Sequence, residues 1–151
     1  GAARAAVWAL LEAGAAVDVR NRSGERAAAL VAEIGGRAIP ADGPLDLSAY
    51  DVLVNATSVG LAKPGARTGP PGSDLKMLGV EADDLDEHLT LVDMVYGTEP
   101  TELVAAGRNR GAAIVDGLEI LVRQGALSFQ IWTGLEPPLQ TMREAIEETR
   151  R

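Results

Sequence analysis

The stretch NRSGER, residues 21–26, places Arg22 and Arg26 four positions apart, between the alternating run AAVDVR and the helix-periodic run RAAALVAEIGG. Guanidinium groups are planar, permanently charged and able to donate paired hydrogen bonds. Two of them where a strand ends and a helix begins can grip a phosphate. The plainer alternative is that both arginines solvate the start of a helix. In NATSVG, residues 55–60, a side-chain amide, the hydroxyls of Thr57 and Ser58 and the N–H groups of a turn suit a ribose or a pyrophosphate; an ordinary polar turn is the alternative. Met94 and Tyr96 bring a thioether and a phenol to the end of the run LTLVDMV, as site residues or as packing. Gln124 shares a helical face with Gly117, Ile120 and Leu121, so an amide sits among apolar neighbours and needs partners. Those partners are either a substrate hydroxyl or the backbone.

Other chemistry is thinly represented. His88 lies in DDLDEH, yet the chain has no second histidine and no cysteine to complete a metal site, and a solvated acidic face explains the segment. No Ser/His/Asp set and no isolated carboxylate pair stands at a convincing position. The residues supply binding groups without evident proton-transfer machinery, so neither a catalytic residue nor a metal ligand is assigned.

The elements that must position these groups follow from periodicity. GAARAAVWALLEAG reads as a helix with Ala3, Val7, Leu10 and Leu11 on one stripe. AAVDVR alternates as a strand, and the helix after it places Ala27, Leu30, Val31 and Ile34 on one face before its glycine stop. Residues 37–40 form a short strand and DVLVN, 51–55, a clear one. Residues 61–79 carry three prolines and four glycines and read as a long loop of the kind that borders sites. LTLVDMV is the next strand, followed by a helix over about 100–110, the strand AAIV, a long helix from Asp116-Gly117 to about Trp132, and a last helix from Pro137-Pro138 with Leu139, Met142 and Ile146 on its stripe. Alternation of this kind predicts an α/β fold, a mainly parallel sheet flanked by helices. Ligands of such sheets lie beyond the carboxyl ends of the strands. Asn21–Arg26, Asn55–Ser58, Met94–Gly97 and Asp116-Gly117 all stand there.

Bulk properties narrow the classes. A chain of 151 residues, 46% hydrophobic, buries one sizeable core and reads as a single domain. Fourteen basic against 22 acidic residues, net −8, argue against a nucleic-acid or anionic-membrane surface, so any anion site must be local. The absence of cysteine, of a membrane-length apolar run and of a signal-peptide pattern makes the cytoplasm the default expectation.

Spacing adds a cofactor. In a dinucleotide-binding unit a glycine turn opens the first helix, and about 20 residues on an acid contacts the ribose of NAD or an arginine the 2′-phosphate of NADP. Here Gly1 opens the helix and Asn21 and Arg22 occupy the later position, where no acid stands; Asp18 lies inside the strand. This points to NADP, although one glycine alone remains of the glycine motif.

Five stretches, GAARA at 1–5, NRSGERA at 21–27, DVLVNATSVG at 51–60, LVDMVYG at 91–97 and IVDGLEILVRQGALSFQIWTG at 114–134, together resemble the C-terminal, nucleotide-binding half of the shikimate dehydrogenase family over nearly the whole chain. The resemblance implies a Rossmann-like fold and the reversible NADP-dependent interconversion of 3-dehydroshikimate and shikimate, on the way to chorismate and the aromatic amino acids. It implies that Asn21, Arg22, Ser23 and Arg26 hold the 2′-phosphate and that Thr57 and Ser58 form the cofactor turn. By the same resemblance Met94 and Gly117 border the nicotinamide, and Tyr96 and Gln124 touch the shikimate side. Gly1 and Ala2 fall inside the family's G-x-G-G-x-x-R fingerprint. Residues 1–151 are therefore expected to be the NADP-binding domain without its first strand. The N-terminal substrate domain, which carries the catalytic lysine and aspartate, is expected to lie outside this chain and to pack against it, leaving the chain alone inactive. Lys63 and Lys76 lie in the wrong half for the catalytic role. Ser23 stands where the family has threonine, and Gly97 and Glu102 also depart from its pattern. A quinate/shikimate dehydrogenase using NAD and a free-standing nucleotide-binding module are the alternatives.

Overall fold

The computed structural model describes residues 1–43, 45–61, 70–97 and 99–149. The order is α1 (Ala2–Glu12), β1 (Asp18–Val19), α2 (Gly24–Ile34), β2 (Arg37–Ala38), β3 (Val52–Asn55), α3 (Ser73–Leu78), β4 (Thr90–Asp93), α4 (Glu102–Arg110), β5 (Ala113–Val115), α5 (Gly117–Thr133) and α6 (Leu139–Thr149). Single 3-10 turns precede β3 and β4. The helical stripes predicted for α1 and α2 are the sides that face inward: Val7 and Ala27 are buried, while Leu10, Leu11, Leu30, Val31 and Ile34 are half-buried.

Every strand pairing is parallel, as the alternation of elements predicts, but the strands form two sheets rather than one. β1 pairs with β2, and β4 lies between β3 and β5, with Asn55 opposite Asp93 at the last register position of β3 and β4. The pair and the triple match the 3-2 and 4-5-6 parts of the doubly wound order 3-2-1-4-5-6. AAVDVR pairs only over Asp18–Val19, shorter than its alternation predicts.

Side chains tie the two sheets. Asp18 accepts hydrogen bonds from Arg37 (Nε 2.8 Å, Nη2 2.6 Å) and from the phenol of Tyr50, just before β3, at 2.7 Å. Arg20, at the end of β1, donates to the carbonyls of Ala41 (2.8 Å), Gly43 (2.7 Å) and Gly79 (3.4 Å). The Arg37 guanidinium, with the Tyr50 hydroxyl next, holds the Asp18 carboxyl below its ordinary value of 3.8. A depressed carboxylate stabilises the fold above its unfolded pKa and loses that contribution as pH falls through the folded one. Arg37→Leu is therefore expected to raise the pH at which acid unfolding begins and to leave stability near pH 7 less than that of the unaltered protein, read from circular dichroism against pH.

The main core lies under the triple-stranded sheet, where Leu47, Leu75, Leu85, Leu89, Leu91 and Leu103 pack around β4. The expected loop 61–79 is partly helical, since α3 occupies Ser73–Leu78; residues 62–69 lie outside the described residues. α3 forms because Leu75 seats in the core and Glu102 of α4 reaches across to its start. That carboxylate accepts from the backbone N–H of Gly72, Asp74 (2.8 Å) and Leu75 (3.4 Å). A short helix with three N–H groups satisfied from a neighbouring helix was not visible to local pattern, because the capping residue is about thirty positions away. On the opposite side, Arg143 of α6 grips Glu119 of α5 through Nε (3.1 Å) and Nη2 (2.8 Å), and Arg123 joins them.

Candidate functional site

Three of the four segments singled out by the strand-end rule meet at the carboxyl ends of the triple-stranded sheet. The Met94 N–H donates to the Asn55 carbonyl at 3.0 Å, which sets the turn after β3 beside the segment after β4. Gly117 is buried against the same segment: a Cβ built there would stand 2.3 Å from the Val95 carbonyl oxygen and 2.9 Å from the Tyr96 Cβ. Only a glycine permits the start of α5 to lie this close to the end of β4. A small concavity opens there, lined by Val95, Tyr96, Thr101, Asp116 and Gly117. Asp116 caps α5, accepting from the N–H groups of Leu118 and Glu119 at 3.2 Å each, and Arg108 pairs with its other oxygen at 3.3 Å.

The NATSVG turn departs from its sequence reading in one respect. The Asn55 amide is not offered outward: it is 4% exposed, and both of its ends are engaged inside the protein. Its Oδ1 accepts from the N–H (3.1 Å) and hydroxyl (2.8 Å) of Thr57, and its Nδ2 donates to the Val59 carbonyl (3.2 Å) and to Asp93 (3.0 Å). The Thr57 hydroxyl also accepts from the Val59 N–H at 3.0 Å. Of the two hydroxyls in the turn, that of Ser58 is exposed and makes no hydrogen bond among the described residues.

The fourth segment stands on the separate β1–β2 sheet. Asn21 turns its Oδ1 back to accept from the Ser23 N–H at 3.0 Å, an Asx turn that fixes the strand-to-helix corner. Ser23 is the N-cap residue of α2 by backbone, and its side chain makes no capping bond. The side chains of Arg22 and Arg26 are exposed and have neither an ion pair nor a hydrogen bond among the described residues, unlike that of Arg20 immediately before them. Two charged forks left without partners on a chain rich in carboxylates are the groups here best suited to an external phosphate.

Gln124 is corrected by the structure. It is exposed on α5 rather than buried: of the face it shares, Gly117 is buried and Ile120 and Leu121 are half-buried, but beyond Gln124 the apolar side chains are uncovered, with Leu127 58%, Ile131 71% and Trp132 82% exposed. Helical spacing identified that face, but it cannot say whether anything covers it. Tyr96 is likewise exposed, and Met94 is half-buried. Gly1 and Ala2 stand exposed at the start of α1, where the Gly1 carbonyl accepts from the Ala5 N–H at 3.2 Å. No hydrogen bond or ion pair joins Gly1, Ala2, Asn21–Arg26 or Gln124 to the Asn55–Gly117 cluster among the described residues. His88 is bonded to Asp86 and to the Leu47 carbonyl (3.2 Å), at the opposite end of the strands from the cluster.

Two residues not singled out from sequence hold the cluster together: Asp93 and Thr101. The available signal was register, since Asn55 and Asp93 end two neighbouring strands, but pairing is not readable from a single sequence.

Comparison with known proteins supplies the context. The domain family described as Shikimate 5′-dehydrogenase C-terminal domain matches residues 117–147. A shikimate dehydrogenase (NADP(+)) of Halobacterium salinarum is 40% identical over 147 residues, covering 97% of this chain and 51% of the relative. Among solved structures, a 5-ketofructose reductase of Gluconobacter superposes with a TM-score of 0.78 at 32% identity, over 99% of this chain and 53% of that one. Shikimate 5-dehydrogenase of Thermus thermophilus, in complex with NADP(H) and shikimate, superposes with a TM-score of 0.71 at 36% identity, over 95% of this chain and 49% of that one. The chain thus spans about half the length of the curated relatives it matches. With 40% identity to a curated shikimate dehydrogenase across 97% of its residues, and its α5–α6 segment matching the C-terminal domain of that family, the chain is similar to shikimate dehydrogenases over about half of their length.

Proposed function

We propose that residues 1–151 are the NADP-binding domain of an enzyme that reversibly reduces 3-dehydroshikimate to shikimate. The observation that carries the cofactor is the pair Arg22 and Arg26: unpartnered, exposed, at the carboxyl end of β1, with no acid where a NAD-binding unit would place one. They receive the 2′-phosphate, on a corner held by Asn21 and Ser23. Thr57 and Ser58 present the turn that follows the middle of the cofactor, and Met94 and Gly117 border its nicotinamide. When bound, the cofactor supplies the hydride; the residues of this chain position it and recognise its charge.

Tyr96 and Gln124 face the substrate in this reading. The uncovered stripe of α5, Leu127, Ile131 and Trp132, packs against a substrate-binding domain carrying the proton-transfer groups. A stripe this apolar is a surface to be covered. The native polypeptide that carries this chain is expected to reduce NADP+ only when shikimate is supplied, followed by the absorbance of NADPH. Reduction that proceeds equally with NAD+, or no reduction with shikimate under conditions where the protein is folded, contradicts the reading.

A further inference from the structure

Asn55 and Asp93 are the two polar residues within the core among the described residues, 4% and 0% exposed, and they end adjacent parallel strands opposite one another. Burying a carboxylate is costly unless it is hydrogen-bonded, and a pair of apolar side chains would fill the same space more cheaply. Stability alone therefore does not account for this pair.

What the pair does is directional. Asp93 Oδ1 accepts from Asn55 Nδ2 and from the Val95 N–H, each at 3.0 Å, and Oδ2 accepts from the Thr101 hydroxyl at 2.5 Å. The Thr101 oxygen accepts from the Val104 N–H at 3.2 Å, so its own proton is left for Asp93. The amide of Asn55 relays the same carboxylate into the next turn, since it takes two bonds from Thr57 and gives one to Val59. A Cβ at Gly60 would lie 3.0 Å from the Thr101 methyl, so the two turns also touch. One carboxylate thereby fixes the turn 55–60 and the segment 93–101 relative to each other.

We propose that Asp93 is a positioning residue that, through Asn55 and Thr101, sets the spacing between the turn carrying Thr57 and Ser58 and the segment carrying Met94, and so determines the grip on the nicotinamide half of NADP(H). This rests on the cofactor reading above. Asp93 itself touches no ligand, since the cluster encloses it completely.

The test uses two probes on the native polypeptide that carries this chain. NADPH spans the whole proposed site, whereas adenosine 2′,5′-bisphosphate reaches only the Arg22 and Arg26 end. Asp93→Asn retains the Oδ1 acceptor and turns an amide N–H toward the Thr101 hydroxyl; Thr101→Val removes the hydroxyl; Thr101→Ser keeps it. Asp93→Asn and Thr101→Val are each expected to weaken NADPH binding about tenfold, the effect of losing one hydrogen bond to a charged group. Both should leave adenosine 2′,5′-bisphosphate affinity within about twofold, and Thr101→Ser should restore NADPH affinity to within about twofold of the unaltered protein. Equal weakening of both probes would reduce Asp93 to a purely structural part, and unchanged NADPH affinity in both broken variants would also overturn the proposal. Unaltered protein that binds neither probe removes the cofactor reading, and this proposal with it.

Discussion

Gly117→Ala is expected to destabilise the protein by about 3 kcal/mol or more, at the upper end of what overpacking costs, and to abolish tight NADPH binding. The added methyl would stand 2.3 Å from the Val95 carbonyl oxygen and 2.6 Å from its carbon. These are backbone atoms of the segment that leaves the central strand, so no rotamer change relieves the clash. Either α5 lifts off the sheet edge or the 94–97 segment shifts, and both routes move Met94 and Tyr96. For a domain of this size the loss corresponds to a fall in melting temperature of roughly 6–12 °C. Gly125 provides the control on the same helix. A Cβ there meets nothing within 4 Å, so Gly125→Ala should stabilise by up to about 1 kcal/mol through helix propensity alone. A melting temperature for Gly117→Ala equal to that of the unaltered protein would show that the close approach of α5 to β4 is not part of the fold in solution.

Arg22→Ala is expected to weaken NADPH by about 10- to 100-fold, the range for losing charge-assisted hydrogen bonds to a phosphate. NADH, which lacks the 2′-phosphate, should be little affected. The fold should also be little affected, because Arg22 makes no hydrogen bond or ion pair among the described residues. Arg26→Ala acts in the same direction, from the next turn of the same corner. Isothermal titration of each variant with both nucleotides separates this from a general loss of structure. Part of the effect should weaken as salt is raised, since the site is exposed and its attraction for phosphate is screened.

How much of this was legible in the sequence depends on the range of the interaction concerned. The helices declared themselves because their stripes are local: Val7 and Ala27 sit at the buried centre of α1 and α2 as periodicity predicts. The strand ends were legible for the same reason, and with them the corner at Asn21–Arg26 and the turn after Asn55. Three features were not. The division into two sheets depends on which strands pair, and alternation counts strands without pairing them. α3 depends on a cap delivered by Glu102 from another helix. The inward turn of Asn55 depends on Asp93 across the ladder, so an amide that looked available to a ligand is consumed by the protein. The expected burial of Gln124 departs in the opposite sense: helical spacing grouped it with Gly117, Ile120 and Leu121, but its amide is exposed, and Leu127 and Ile131 beyond it are uncovered. The glycines divide likewise, since a glycine after a strand invites a turn, whereas the need for glycine at 117 is set by the Val95 backbone some twenty residues earlier.

The central claim is that this chain selects NADP by charge at the β1–α2 corner. It is tested most directly by titrating NADPH and NADH separately into the native polypeptide that carries residues 1–151, at one fixed salt concentration. The account predicts that NADPH binds at least about tenfold more tightly than NADH, the least that one phosphate held by charged donors should contribute. Equal affinity for the two nucleotides would contradict it.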